Sequence, residues 1–403
     1  DFGFNPNYRE TLQKYPSLFP STPSEQAPDV IAYVDPKFKM PQVWRSNLNV
    51  DIQLPYDFML SVGAMYTRDI YNVAQINMNE AEPTGVYNEQ PDRIYWASKK
   101  YEYNDYTNGK NVVVKLSNGE DKGYQYSFNA ILTKKYDFGF TGSIGYTYTM
   151  AKDLTANPGS APNSAWQNNV AVNSLNDPGV SYSLFSTPHR IIANASYEIN
   201  YAKCLKTTFS LFYSGYHTGR YSYTYYNDMN GDGNYSDLIY VPNSQDEMTF
   251  VDITDKSGAI TYSAVDQAKD FWDFVNNDSY LKDRKGKYVE RNGSLTPWIN
   301  RFDFKIAQDF YATLGGRKYG IQVSLDMLNV GNMINSKWGA YQSCGLKSYD
   351  NVQLLKTASK VGEPLTYQIN ANSREAFKER SSWQYTNTIG SAWSMQLGVK
   401  VTF

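Results

Sequence analysis

Residues 43–55, "VWRSNLNVDIQLP", sort their side chains by parity. Trp44, Leu48, Val50, Ile52 and Leu54 fall on one side, and Arg45, Asn47, Asn49, Asp51 and Gln53 fall on the other. Successive side chains of a strand point to opposite faces, so this period of two predicts a strand with one apolar and one polar face. The run is longer than the usual length of about five or six residues for strands in soluble sheets, and it can cross a bilayer when tilted by about 45°.

The same pattern spreads along the chain. After "PYD", Phe58, Leu60, Val62, Ala64 and Tyr66 continue it, which makes the first hairpin. Tyr124, Tyr126, Phe128, Ala130 and Leu132 lead through "KKYDFG" to Phe138, Phe140, Ile144, Tyr146 and Tyr148. Ile191, Ala193, Ala195, Tyr197 and Ile199 lead through "NYAKC" to Thr207, Phe209, Leu211 and Tyr213. Phe302, Phe304, Ile306 and Phe310 lead through "ATLGGRK" to Tyr319, Ile321, Val323, Leu325 and Met327. Trp393, Met395, Leu397, Val399, Val401 and Phe403 close the series. Slipping one strand by a residue would turn Arg45, Asp51, Arg301 or Lys305 onto lipid, at about 2–4 kcal/mol for a mid-membrane Arg or Lys.

Alternation alone also fits a half-buried soluble sheet. Strand length, the density of Asn, Gln, Asp, Arg and Lys on the polar face, and the connections favour an all-β transmembrane antiparallel barrel. Short turns are expected after Leu54, Lys135, Asn200 and Tyr311, and they alternate with long stretches at 79–122, 151–187, 227–297 and 335–390. Outer-membrane barrels pair short periplasmic turns with long extracellular loops in this way.

Composition agrees. The 403 residues are 41% hydrophobic, 16% aromatic and only 19% charged, with 36 tyrosines. A net charge of -2 gives no electrostatic footprint for nucleic acid. No apolar run is long enough for a membrane helix, whereas barrel strands average out as polar. The opening "DFGFNPNYRE" has neither a basic nor an apolar leader, as at the start of a mature product or a fragment. Cys204 falls in an expected inner turn and Cys344 in an outer loop, so both are expected to remain thiols.

About nine main strands emerge. Bacterial single-chain barrels have even strand numbers, and an open sheet would leave two edges of unpaired backbone groups in hydrocarbon. Residues 1–403 therefore read as the C-terminal portion of a larger barrel.

"DPKFKMPQVWRSNLNVDIQLP", "STPHRIIANASYEI", "DMNGDGNYSDLIYVP", "RNGSLTPWINRFDFKIAQDF" and "LDMLNVGNMINSKWGAYQ", with the terminal Phe403, occur in an order that resembles the second half of TonB-dependent outer-membrane receptors, closest to the Oar-like branch of Bacteroidetes. The resemblance implies a 22-stranded barrel filled by an N-terminal plug and energised through TonB, with the plug and the earlier strands not present in this sequence. It implies active transport or receptor binding of an extracellular ligand. Implied partners are outer-membrane lipid, the missing strands and plug, TonB through the missing N-terminal region, and an extracellular ligand or surface lipoprotein. A non-transporting surface protein that binds or anchors a partner is the alternative.

Within "DMNGDGNYSD", Asp228, Asn230, Asp232, Asn234 and Asp237 have the alternation of a calcium loop, with Gly233 at the turn. Ile239 stands where an EF-hand would place its closing Glu, and the same residue types also make Asx turns without metal. Tyr221, Tyr223 and Tyr225 form a ladder that could stack on a sugar or peptide, or serve as aromatic girdle. Ala268, Phe271, Trp272 and Val275 have helical spacing, which suggests a short helix packed on the barrel rim. Residues 116–124, "LSNGEDKGY", read as a turn prolonging a hairpin above the membrane. His189 and His217 are the only histidines, and they are expected at the outer rim. No nucleophile and acid accompany them in a catalytic pattern, so no enzyme is expected.

Overall fold

The computed structural model describes residues 30–103, 112–344, 347–348, 351–370, 377, 383–386 and 388–403, together with 10, 13 and 14. Nine long strands form its main sheet: β1 Gln42–Leu54, β2 Phe58–Tyr71, β3 Tyr124–Lys135, β4 Phe140–Asp153, β5 His189–Tyr201, β6 Leu205–His217, β7 Trp298–Leu314, β8 Arg317–Leu328 and β9 Ser394–Thr402. Each pairs antiparallel with its neighbour in chain order, apart from a two-residue strand, Ser181–Tyr182, that pairs with the end of β4. The sheet is a meander that does not close on itself: among the described residues, β1 and β9 each keep an edge without a strand partner.

Register turns the sequence parity into two continuous faces. Ile52, Leu60, Leu132, Ile144, Ala193, Tyr213 and Phe302 stand opposite one another across β1 to β7, an apolar row perpendicular to the strands. Asn49, Gly63, Asn129, Thr147, Arg190 and Tyr216 form a corresponding row on the other face. Gly63 is small for a steric reason. A Cβ there would come within 2.5 Å of Asn49 Oδ1 and 2.8 Å of the Asn129 amide, which close over it. Polar pairs brace this face: Ser61 donates to Asp51 at 2.5 Å, Asn194 to Ser143 at 2.7 Å, and Lys305 meets Asp326 at 2.8 Å. The apolar face instead presents bare hydrocarbon, with Leu397, Val399 and Val401 of β9 between 60% and 72% exposed.

Short connections lie at one end of the sheet and long ones at the other. The short ones are Pro55–Asp57 and residues 136–139, 202–204 and 315–316. Ala202 and Lys203 both have positive φ, the left-handed backbone a tight hairpin requires. The last turn falls three residues beyond its expected place after Tyr311, because Gly315 and Gly316, at φ 58° and 78°, supply the two left-handed positions a two-residue turn needs. Cys204 lies at this end and Cys344 at the other.

The long connections fold together into a cap. Arg220–Tyr225 leaves the end of β6 and pairs in parallel with Asn351–Thr357, which pairs in turn with Thr366–Ile369. Ala74–Asn77 and Val112–Ser117 prolong the β2/β3 hairpin above the main sheet, so 118–123, within the expected turn, instead joins that extension to β3. The helix Ala264–Asn277 begins at Ser263, whose hydroxyl accepts the Asp266 N–H at 3.1 Å. It buries Phe271, Phe274 and Val275 in the cap, with Ala268 and Trp272 packed partly against the same cluster. Met229, Ile239, Val352, Leu354, Leu355 and Ile369 complete that core.

Candidate functional site

The loop from Asp228 to Asp237 is built by its own side chains. Gly231 and Gly233 take φ of 83° and 93°, which turns their N–H groups back toward Asp228. Asp228 accepts both, at 2.7 and 2.8 Å through its two oxygens. Asn230 accepts the Asp232 N–H at 2.9 Å, Asp232 accepts the Asn234 N–H at 2.7 Å, and Asp237 accepts the Met229 N–H at 3.0 Å.

These carboxyls are in low dielectric. Burial, with the neighbouring Asp237 and Asp228, holds the Asp232 carboxyl well above its ordinary range. Burial pushes Asp237 up to about 7, opposed by the Arg93 guanidinium and reinforced by Asp228. A carboxylate keeps lone pairs beyond one accepted bond, so a cation would find donors in this loop. The side chains of Asp228, Asn230, Asp232, Asn234 and Asp237 do share one turn. Among the described residues, however, no three His, Cys, Asp or Glu side chains gather as a metal set.

Tyr221, Tyr223 and Tyr225 are at most 4% exposed. Tyr221 and Tyr223 share a hydroxyl contact of 3.1 Å, and Tyr223 donates to Asp278 at 2.8 Å. Gln90 donates to both Tyr225 and Tyr367 hydroxyls at 2.9 Å. Burial, with Asp278 nearby, pushes the Tyr221 hydroxyl up to about 12. The rings thus pack inside the cap, where the expected ladder would have presented them on an open or interfacial surface.

Three arginines that carry no signal in the sequence organise the cap. Arg93 is fully buried; its guanidinium donates to Val172 O, Leu238 O and Gln90, lies 3.4 Å from Asp237, and sits 4.8 Å above the Tyr288 ring. It ties three connections that are far apart in the chain. Arg220 donates to Ser186 O at 3.0 Å and Asn292 O at 3.1 Å, over the Tyr182 ring. Arg291 donates to Asn169 at 2.9 Å and meets Asp153, at the end of β4, at 3.3 Å, which fastens the cap to the sheet. An Arg between Pro, Asp and aromatic residues looks solvated in sequence; only the tertiary contacts show it buried.

The histidines lie at the capped end. His189 Nδ1 is 2.7 Å from the Tyr146 hydroxyl, and His217 Nδ1 is 2.6 Å from Thr296 O. The rings therefore engage neighbouring strand and cap atoms at the rim.

Long alternating strands, an apolar outer row and short turns opposite a folded cap are the features expected of a membrane barrel wall. No curated protein and no solved structure matches the chain. A family profile described as "Outer membrane beta barrel domain" matches residues 3–338. The chain therefore belongs to the outer-membrane β-barrel domain family, with its apolar face in the lipid of the bacterial outer membrane.

Proposed function

We propose that this chain is the C-terminal part of a TonB-dependent receptor that binds an extracellular ligand at its cap and passes it through a plugged barrel of about 22 strands. The observation that carries this reading is the pair of unpartnered edges on β1 and β9, on a sheet whose inner face is polar. Unsatisfied edge groups in hydrocarbon cost several kcal/mol each, so further strands have to close the wall. A barrel much wider than nine strands encloses a lumen that side chains alone do not fill, and the inner rows of Asn, Thr and Arg suit contact with a polar plug.

The cap's own core supports a second reading, a non-transporting surface protein that presents the cap to a partner. One experiment separates them. The intact polypeptide in detergent micelles is tested for capture by a purified TonB C-terminal domain. Capture that is lost when the region preceding Asp1 is deleted is the expected result. No capture by a folded, heat-modifiable barrel would overturn transport and leave partner binding.

A further inference from the structure

We propose that a cleft in the cap, beside the 228–237 loop, is a binding site for a neutral saccharide. The cleft has a volume of about 600 Å³, within the roughly 300–1,000 Å³ usual for small-molecule sites. Seven of its eleven lining residues carry primary amides, two are tyrosines, and none bears a charge. Primary amides donate and accept at once, which suits a sugar hydroxyl that also does both.

The decisive atom is Asn234 Nδ2. Asn234 contributes to the cleft wall, and its Nδ2, covered by the wall, has no hydrogen-bond partner in the protein. An unpaired buried donor costs about 1–3 kcal/mol, and rotation of this amide toward the cleft would let a ligand oxygen relieve that cost. Tyr226 and Tyr235, 47% and 66% exposed, stand at the same cleft. Exposed rings of this size offer an apolar face for the C–H side of a pyranose and a hydroxyl at the edge.

Other lining amides are already held in place. Asn227 both donates to Thr357 Oγ1 at 2.8 Å and accepts the Thr357 N–H at 3.0 Å, and Asn169 is fixed by Arg291. These two amides therefore have little side-chain freedom left to lose on binding.

Competing ligand classes fit less well. An anion would meet no Lys or Arg in the lining, and a cation no carboxylate. A lipid tail would meet seven primary amides in the lining. A peptide adding as a strand needs an open edge, but Asn351–Thr357, which contributes to the cleft, is paired on both sides. The site stands whether or not the ligand is afterwards transported.

The test uses the purified protein in detergent. A panel of neutral gluco-, manno-, galacto- and xylo-oligosaccharides is screened at millimolar concentration by calorimetry, alongside sulfated glycans and uncharged peptides. At least one neutral oligosaccharide is expected to bind. Tyr235→Ala, at an exposed position, should weaken it about tenfold or more, as should Asn234→Ala, while cap protease resistance stays unchanged for Tyr235→Ala. Failure of every neutral glycan on folded protein would overturn the proposal. So would affinity that ignores both variants, or preferential binding of a sulfated glycan or a peptide that depends on Tyr235.

Discussion

Leu397 and Leu354 are both strand leucines, yet Leu397 in β9 is 72% exposed and Leu354 in the cap is fully buried. In the main sheet apolar side chains belong on the outside, against lipid tails, and the polar ones face inward. In the cap the order is inverted, with a tyrosine-rich core inside and polar groups around it. One chain thus satisfies two solvents, and the junction runs through Arg291 and its contact with Asp153. A substitution's cost depends on which side of that junction it falls.

The largest effect is expected in the cap core. Phe274→Ala removes a ring that is 2% exposed and leaves a cavity that the surrounding side chains cannot close, costing about 3–5 kcal/mol. Cap protease resistance should fall at lower urea while the heat-modifiable gel mobility of the sheet persists; coincident loss of both would break the distinction between the two regions.

On the sheet the sensitive change is polarity. Val399→Arg places a charge on the lipid face for about 2–4 kcal/mol near mid-membrane. Leu397→Ala on the same face loses only transfer energy, about 2 kcal/mol for three methylene equivalents, because lipid fills the space. Folding titrations into vesicles should rank them in that order. Equal or reversed costs would mean that this face does not meet lipid.

The remaining effect is a pH slope. Asp237, raised from 3.8 to about 7, keeps a proton in the folded cap that the unfolded chain releases. The cap is therefore favoured below pH 4 and loses that advantage as pH rises through about 7, by at most about 1.4 kcal/mol per pH unit. Asp237→Asn should flatten cap stability between pH 5 and pH 7. An unchanged slope would place the titration on another carboxyl, with Asp232 and Asp228 the nearest candidates.

The sheet was legible because lipid and lumen impose a strict period of two, which "VWRSNLNVDIQLP" and "SAWSMQLGVKVTF" display directly. The cap was not, because its core is assembled from strands of two to seven residues whose partners are remote. "RYSYTY" alternates as an edge or girdle strand would, yet all six residues are buried. Arg220 and Ser222 are tolerated there because Ser186, Asn292 and Gly293 meet them with backbone groups. Helical spacing located the Ala264–Asn277 helix, whereas its seat in a core rather than on a rim depends on contacts no local pattern encodes. The acidic loop was legible as a turn motif, and its role as one wall of an amide-lined cleft came from Gln167, Asn168 and Asn351, which lie elsewhere in the chain.

Gln90 reaches hydroxyls on residues 135 and 277 positions further along the chain. Such separations slow folding, because each contact has to await closure of a long loop. With the cap outside, as in the receptor proposed above, its segments cross the membrane before they can find one another, and part of their core arrives only with the connection between β8 and β9. Biogenesis of such a receptor should end on the cell surface, with the cap locking last.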